Sequence, residues 1–173
     1  MAAITSVALS LLNQGDHVVA VQDLYGGSRR LFDRVLRNFG VNFTYVNGST
    51  AAAFQNAIRP ETKIVWVESP TNPLLQIVDI PTAAQIAHDY HALLIVDNTF
   101  ASPCLQEPLK LGADMVVHST TKYIGGHSDL VGGAIILSDD ALYEKVRFAQ
   151  NAVGAVPGPF DCWLVLRGKV TGG

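Results

Sequence analysis

Charge is scarce in this 173-residue sequence: Asp, Glu, Lys and Arg make up 16% of it, against about 25% in an average soluble domain. Acidic residues number 15 and basic ones 12, with no basic run, so neither a nucleic acid nor an anionic membrane surface is indicated as a partner. Cysteine is scarcer still. Cys104 and Cys162 stand far apart with no CxxC or Cys/His ligand spacing, which suits a reducing, cytoplasmic setting and suggests no metal site. Cys162, inside the apolar Phe160-Asp161-Cys162-Trp163-Leu164, reads as a small core residue. No apolar stretch reaches the roughly 20 residues needed to cross a bilayer, and no membrane partner is expected. The opening run, residues 1–12, stops at Gly15-Asp16 and lacks the basic flank of a signal peptide. Also missing are a GxGxxG after a strand and a GxxxxGK[ST], which argues against a nicotinamide dehydrogenase and a P-loop nucleotidase.

Apolar residues are plentiful, at 49%, and the length suits one domain with a substantial core. The first helix is apolar almost all round, as a buried helix would be. After it the chain cycles between short β-rich runs and helical stretches. Strands are expected at 17–21, 42–46, 63–67, 93–96, 114–118 and 134–137. Helices are expected at 29–39, with Ser28 as the cap, at 50–58, from Pro81 to about 91, and at about 140–150 behind Ser138-Asp139-Asp140. Residues beyond 159 read as an apolar tail. Such alternation predicts an α/β fold, a mostly parallel sheet with helices on both faces. The link from His118 to Ala134 is glycine-rich and has no helical period. A parallel return needs a longer crossover, so the last strand is expected to run antiparallel, in a mixed sheet.

Ligands of open α/β sheets bind at the carboxyl ends of the parallel strands, so the polar residues following each strand are the candidates. They are Asp23 and Tyr25, Glu68 and Asn72, Asp97 and Thr99, then Ser119, Thr121 and Lys122. Asp97 ends the run Leu93-Leu94-Ile95-Val96, in the expected middle of the sheet, where a carboxylate needs compensation. A protonated ring nitrogen of a cofactor would provide it, and so would backbone amides of the next loop. Lys122 follows two hydroxyls that could hold a phosphate, and a desolvated amine there would be a nucleophile; a solvated surface lysine is the plainer reading. The Tyr25 ring could stack on a flat cofactor or simply half-pack at the sheet edge. Asn72, between Pro70 and Pro73, sits in a stiff turn that an Asx bond alone would favour, although a fixed amide can also orient a phenolic oxygen. His127 reads as a support of the glycine-rich loop.

The ordered motifs Asp23-Leu24-Tyr25-Gly26-Gly27, Glu68-Ser69-Pro70-Thr71-Asn72-Pro73, Val96-Asp97-Asn98-Thr99-Phe100, His118-Ser119-Thr120-Thr121-Lys122-Tyr123, Gly126-His127-Ser128-Asp129 and Gly154-Ala155-Val156-Pro157-Gly158-Pro159 resemble the pyridoxal-phosphate-dependent Cys/Met metabolism enzymes. Within that family the likeness points to cystathionine γ-synthases and γ-lyases. The resemblance implies a fold-type-I large domain over residues 1–168, truncated at both ends, with a divergent tail at 169–173. It implies pyridoxal 5'-phosphate as cofactor and Lys122 as the residue that carries it and moves protons among the α, β and γ positions. Asp97 would pair with the pyridine nitrogen, with Thr99 beside it. Tyr25 would stack on the ring and assist proton transfer, and Asn72 would approach the ring oxygen and substrate. Ser119 and Thr121 would hold the phosphate, as would the amides of the helix that opens at Met1.

The implied reaction is γ-replacement or γ-elimination on cystathionine, O-acylhomoserine and cysteine, in a cytoplasmic homotetramer with sites shared across a dimer. Cys often stands at the Gly27 position in methionine γ-lyases, which makes that activity less expected. The family's Ser-Gly before Met1, its N-terminal arm and its smaller C-terminal domain are not in the sequence. The alternative is therefore a catalytically incomplete chain that binds the cofactor weakly or only associates with full-length subunits.

Overall fold

The computed structural model describes residues 1–48 and 50–171, the last three by backbone alone. The chain runs α1 (Ala2–Leu11), β1 (His17–Val21), α2 (Gly26–Arg34), β2 (Asn42–Val46), α3 (Ala51–Ala57), β3 (Thr62–Glu68), α4 (Ile80–Asp89), β4 (Leu93–Asp97), α5 (Ser102–Leu105), β5 (Met115–Ser119), β6 (Gly133–Leu137), α6 (Asp140–Ala152) and α7 (Pro159–Thr171), with 3₁₀ turns at Leu36–Phe39 and Pro108–Leu111. The strands form one sheet in the order β2-β1-β3-β4-β5-β6. All neighbours pair in parallel except β5 and β6, which are antiparallel, as the short glycine-rich link requires.

β1 is buried along its whole length, and β4 beyond its first residue, because helices cover both faces of the parallel part. That is why these strands read as unbroken apolar runs. The pairing register sorts side chains by face, since they alternate along each strand. Val18, Ala20, Trp66, Ile95 and Met115 share one face, and Glu68, Asp97 and Ser119 continue it toward the carboxyl edge. On this face Phe32 of α2 stacks on Phe43 (centroids 4.9 Å) and meets Trp66 edge-on at 5.5 Å. α1 packs here too, its Ala3 close against Gly133. Right-handed crossovers put α3 and α4 on the opposite face.

Helix starts follow their caps. The Asp79 side chain accepts the Thr82 N–H at 3.1 Å ahead of α4, and Asp139 accepts the Leu142 N–H at 2.7 Å ahead of α6. Three expectations need correction. α2 starts at Gly26, with Tyr25 at its cap, and Ser28 is buried inside the first turn. A Cβ on Gly27 would overlap the Tyr25 ring, so the bare glycine lets the helix begin beneath that ring. The same segment does not run as one helix to residue 39; it ends at Arg34 and tightens into the 3₁₀ turn closed by Gly40 at φ 81°. The apolar tail is helix α7, and Cys162 is exposed on it, because the helix turns Leu164 inward and leaves Cys162, Trp163 and Leu166 outside. Residues 172 and 173 of the expected tail lie outside the described residues.

Candidate active site

The site lies where the sheet changes direction of winding. From β1 the chain crosses to β2 on one side, whereas the path through β3, β4 and β5 moves to the other. The loops leaving β1 and β3 therefore part between these neighbouring strands, and this is the position at which open α/β sheets form a ligand crevice. Tyr25 follows β1. Glu68 and Asn72 follow β3, Asp97 and Thr99 end the adjacent β4, and Ser119, Thr121 and Lys122 follow β5.

Asp97 is 5% exposed, at the end of a central strand. Burial raises its pKa, opposed by the hydrogen bonds from Thr99. Thr99 donates its hydroxyl at 2.5 Å and its N–H at 3.1 Å to the same oxygen, Oδ1. That hydroxyl in turn accepts the Ser119 N–H at 2.9 Å, tying the ends of β4 and β5 together. No Lys, Arg or His side chain pairs with Asp97 among the described residues. The result is a buried carboxylate held in place, with its second oxygen not taken by Thr99 and no side-chain cation to balance it.

Glu68 stands opposite Asp97 in the β3–β4 register and is 3% exposed. Burial, reinforced by the Asp97 and Asp23 charges, pushes its pKa up to about 8 against the hydrogen bond it accepts from Tyr25. At neutral pH Glu68 is therefore mainly a neutral acid. The Tyr25 ring is 44% exposed over Gly27. A Cβ at Gly27 would also come within 2.9 Å of Met1 Sδ, so the ring, the methionine and the bare glycine form one close-packed cradle.

The loop after β5 is held by its own backbone. Thr120 N–H donates to Gly132 O at 3.0 Å and Gly125 N–H to Thr120 O at 2.8 Å. Thr121 exchanges both bonds with Gly132, accepting its N–H at 2.9 Å and donating to its carbonyl at 3.2 Å. His127 donates from Nδ1 to Gly125 O at 2.8 Å, the loop support expected of it. Lys122 stands exposed on this loop. Asn72 is half-buried in the turn after β3. The expected residues thus share one rim, in two clusters: Asp97, Thr99 and Ser119 bonded together, and Met1 with Tyr25 around Gly27. Glu68 and Asp23 were visible as rim residues, but their part here was not, because it depends on the β3–β4 register and on loop contacts distant in sequence.

Residues 1–171 match the profile of the Cys/Met metabolism PLP-dependent enzymes. The chain belongs to this family. It is 55% identical over 167 residues to a probable cystathionine gamma-synthase of Herpetosiphon aurantiacus, covering 96% of this chain and 52% of that protein. It is 51% identical over 171 residues to a cystathionine gamma-lyase of Bacillus subtilis, covering 99% of this chain and 45% of that protein. A solved structure of cystathionine gamma-lyase from Lactobacillus plantarum, complexed with L-serine, superposes with a TM-score of 0.95 at 46% identity, over 98% of this chain and 45% of that one. The chain spans about half the length of the curated relatives it matches. In a Cys/Met metabolism enzyme the group to be held has a flat pyridine ring and a phosphate. The donor set is of the right kind: a buried carboxylate without a side-chain cation, a half-exposed aromatic ring at the same rim, and the Ser119 and Thr121 hydroxyls at the loop after β5.

Proposed function

We propose that this chain carries the cofactor-binding part of a pyridoxal-phosphate-dependent transsulfuration enzyme. It would act on cystathionine or O-acylhomoserine by γ-elimination or γ-replacement. The observation that carries the reading is Asp97, a carboxylate buried at the end of a central strand, fixed by Thr99 and lacking a cationic side chain. A protonated ring nitrogen supplies the missing charge.

When bound, the cofactor supplies an electron sink for charge developing at the substrate's α carbon. Asp97 holds the proton on the ring nitrogen, and Thr99 orients Asp97. Tyr25 would stack on the ring, an offset arrangement that contributes about 0.5–1.5 kcal/mol. Ser119, the amides of α1 behind Met1, and Thr121 once its hydroxyl turns from Gly132 would bind the phosphate, and Asn72 would orient the ring oxygen. Lys122 would be the attachment point and the base that takes the substrate's α proton and returns it further along the chain. Its exposure in the described chain leaves the amine free to reach the group.

The small amino-acid substrates, the cytoplasmic setting and a homotetrameric assembly belong to the same proposal. The names of the relatives support the substrates, and two free cysteines support the setting. No helix among the described residues is long and apolar enough to cross a membrane. The test is to add pyridoxal phosphate to the full-length protein and to Lys122→Ala. A visible absorbance band in the first and not the second is expected, together with turnover of cystathionine or of O-succinylhomoserine plus cysteine. No band overturns cofactor binding at Lys122; a band without turnover overturns the transsulfuration reading and favours a chain that only binds.

A further inference from the structure

The loops after β1 and β3 part at the crevice, yet two carboxylates cross it in opposite directions. Glu68, at the end of β3, accepts the N–H of Tyr25 in the β1 loop at 2.8 Å. Asp23, in the β1 loop, accepts the Thr71 hydroxyl and, at 3.0 Å, the N–H of Leu74, both in the β3 loop. Thr71 is 1% exposed and closes its own turn: its Oγ1 accepts the Gln76 N–H at 2.9 Å, and its N–H donates to Gln76 O at 2.9 Å. Tyr25 is thus gripped through its own backbone, and Asn72 through the residue before it.

We propose that Asp23 and Glu68 are positioning residues forming a reciprocal latch, each holding the other's loop so that Tyr25 and Asn72 face the crevice in a fixed relation. The assignment of Tyr25 and Asn72 to the cofactor rests on the function proposed above; the latch itself rests on the geometry. Burial of the Glu68 carboxyl, 3% exposed, shields the acceptor end of its half from competing water. A neutral Glu68 also suits a neighbour of Asp97. It grips Tyr25 without adding a second negative charge beside the carboxylate that must hold a ring proton.

Hydrogen exchange at single amides of the cofactor-free, full-length protein tests the latch independently of cofactor binding. Glu68→Ala is expected to speed exchange at Tyr25 about tenfold or more, and Glu68→Gln, which keeps an acceptor oxygen, to restore slow exchange. The deciding arm is crossed. Asp23→Ala, which removes no bond from Tyr25, is expected to speed Tyr25 exchange as well, and Glu68→Ala that of Leu74, while Asp23→Asn, which keeps an acceptor oxygen, is expected to restore slow exchange. Faster exchange confined to the amide directly bonded would show two independent caps and overturn the latch. If Glu68→Ala does not fold, the Asp23 variants decide alone, since Asp23 is half-buried in a surface loop. Pyridoxal-phosphate titration of the same variants then separates the readings. A latch seen by exchange with no cofactor bound by the parent protein sinks the proposed function and leaves the latch standing.

Discussion

Asp97 sets the balance between stability and function at the site. Burying a carboxylate without a side-chain cation raises its pKa, so above the ordinary Asp range its ionised form costs folding free energy that a bound ring cation would return. Asp97→Asn keeps the shape and one acceptor oxygen but removes the charge. Two opposite effects are expected of it: a higher thermal midpoint for the cofactor-free protein, and cofactor binding weaker by about ten- to a hundredfold, the range of a lost charge-assisted hydrogen bond. Calorimetry and absorbance titration read the two separately, and unchanged affinity would remove Asp97 from the ring nitrogen. Gly27 gives a second test. A methyl group there would overlap the Tyr25 ring and crowd Met1 Sδ, and the half-exposed ring is the part free to swing away. Gly27→Ala is therefore expected to weaken cofactor binding while moving the urea midpoint little, with near-ultraviolet dichroism reporting the displaced tyrosine.

Among the elements, β1 is clamped at the edge opposite the site. His17, 1% exposed, hydrogen-bonds through Nδ1 to Thr62 Oγ1 at 2.8 Å and through Nε2 to Thr44 Oγ1 at 2.9 Å, joining β2, β1 and β3. Burial, with Arg59 nearby, lowers its pKa to about 4 against the partial opposition of Glu61. Because the folded value lies below the unfolded one, the neutral ring's contribution is complete above about pH 6.5 and is lost as pH falls from there to about 4. The unfolding free energy read from urea titrations is expected to fall across that interval, by at most about 3 kcal/mol from this residue, and the slope should flatten in His17→Gln. The central strands were legible because burial on both faces makes them apolar runs, and the antiparallel β6 because its link is too short for a crossover. α7 was not legible: Phe160, Cys162, Trp163 and Leu166 face outward on it, so its apolar residues follow no helical stripe. The start of α2 was misplaced because a good capping residue, Ser28, gave way to the tertiary demand that Gly27 lie under Tyr25. The candidate rim was readable from residues that follow strands. The pairing of Glu68 with Asp97 and the Asp23 bonds were not, since they exist only once register and loop contacts are formed.

At the scale of the whole molecule, the last described helix reports on the site. Gly168 of α7 lies against the backbone of Gly125 and the Ile124 carbonyl, in the loop that carries Lys122, so close that a Cβ would strike main-chain atoms, which cannot turn aside as a side chain could. Gly168→Ala must then shift either α7 or the lysine loop. A ligand that binds only the folded form stabilises it by about 2.7 kcal/mol at a hundred times its dissociation constant. For a chain of this length each kcal/mol moves the thermal midpoint by about 2–4 °C. Pyridoxal phosphate is therefore expected to raise the midpoint of the parent protein by about 5–10 °C at that excess. In Gly168→Ala the cofactor-free midpoint should drop and the rise at the same cofactor concentration should shrink, because the loop bearing Lys122 is displaced. A lower cofactor-free midpoint with an undiminished rise would mean that α7 moves alone, and that its seat on Gly125 secures the fold without setting the lysine.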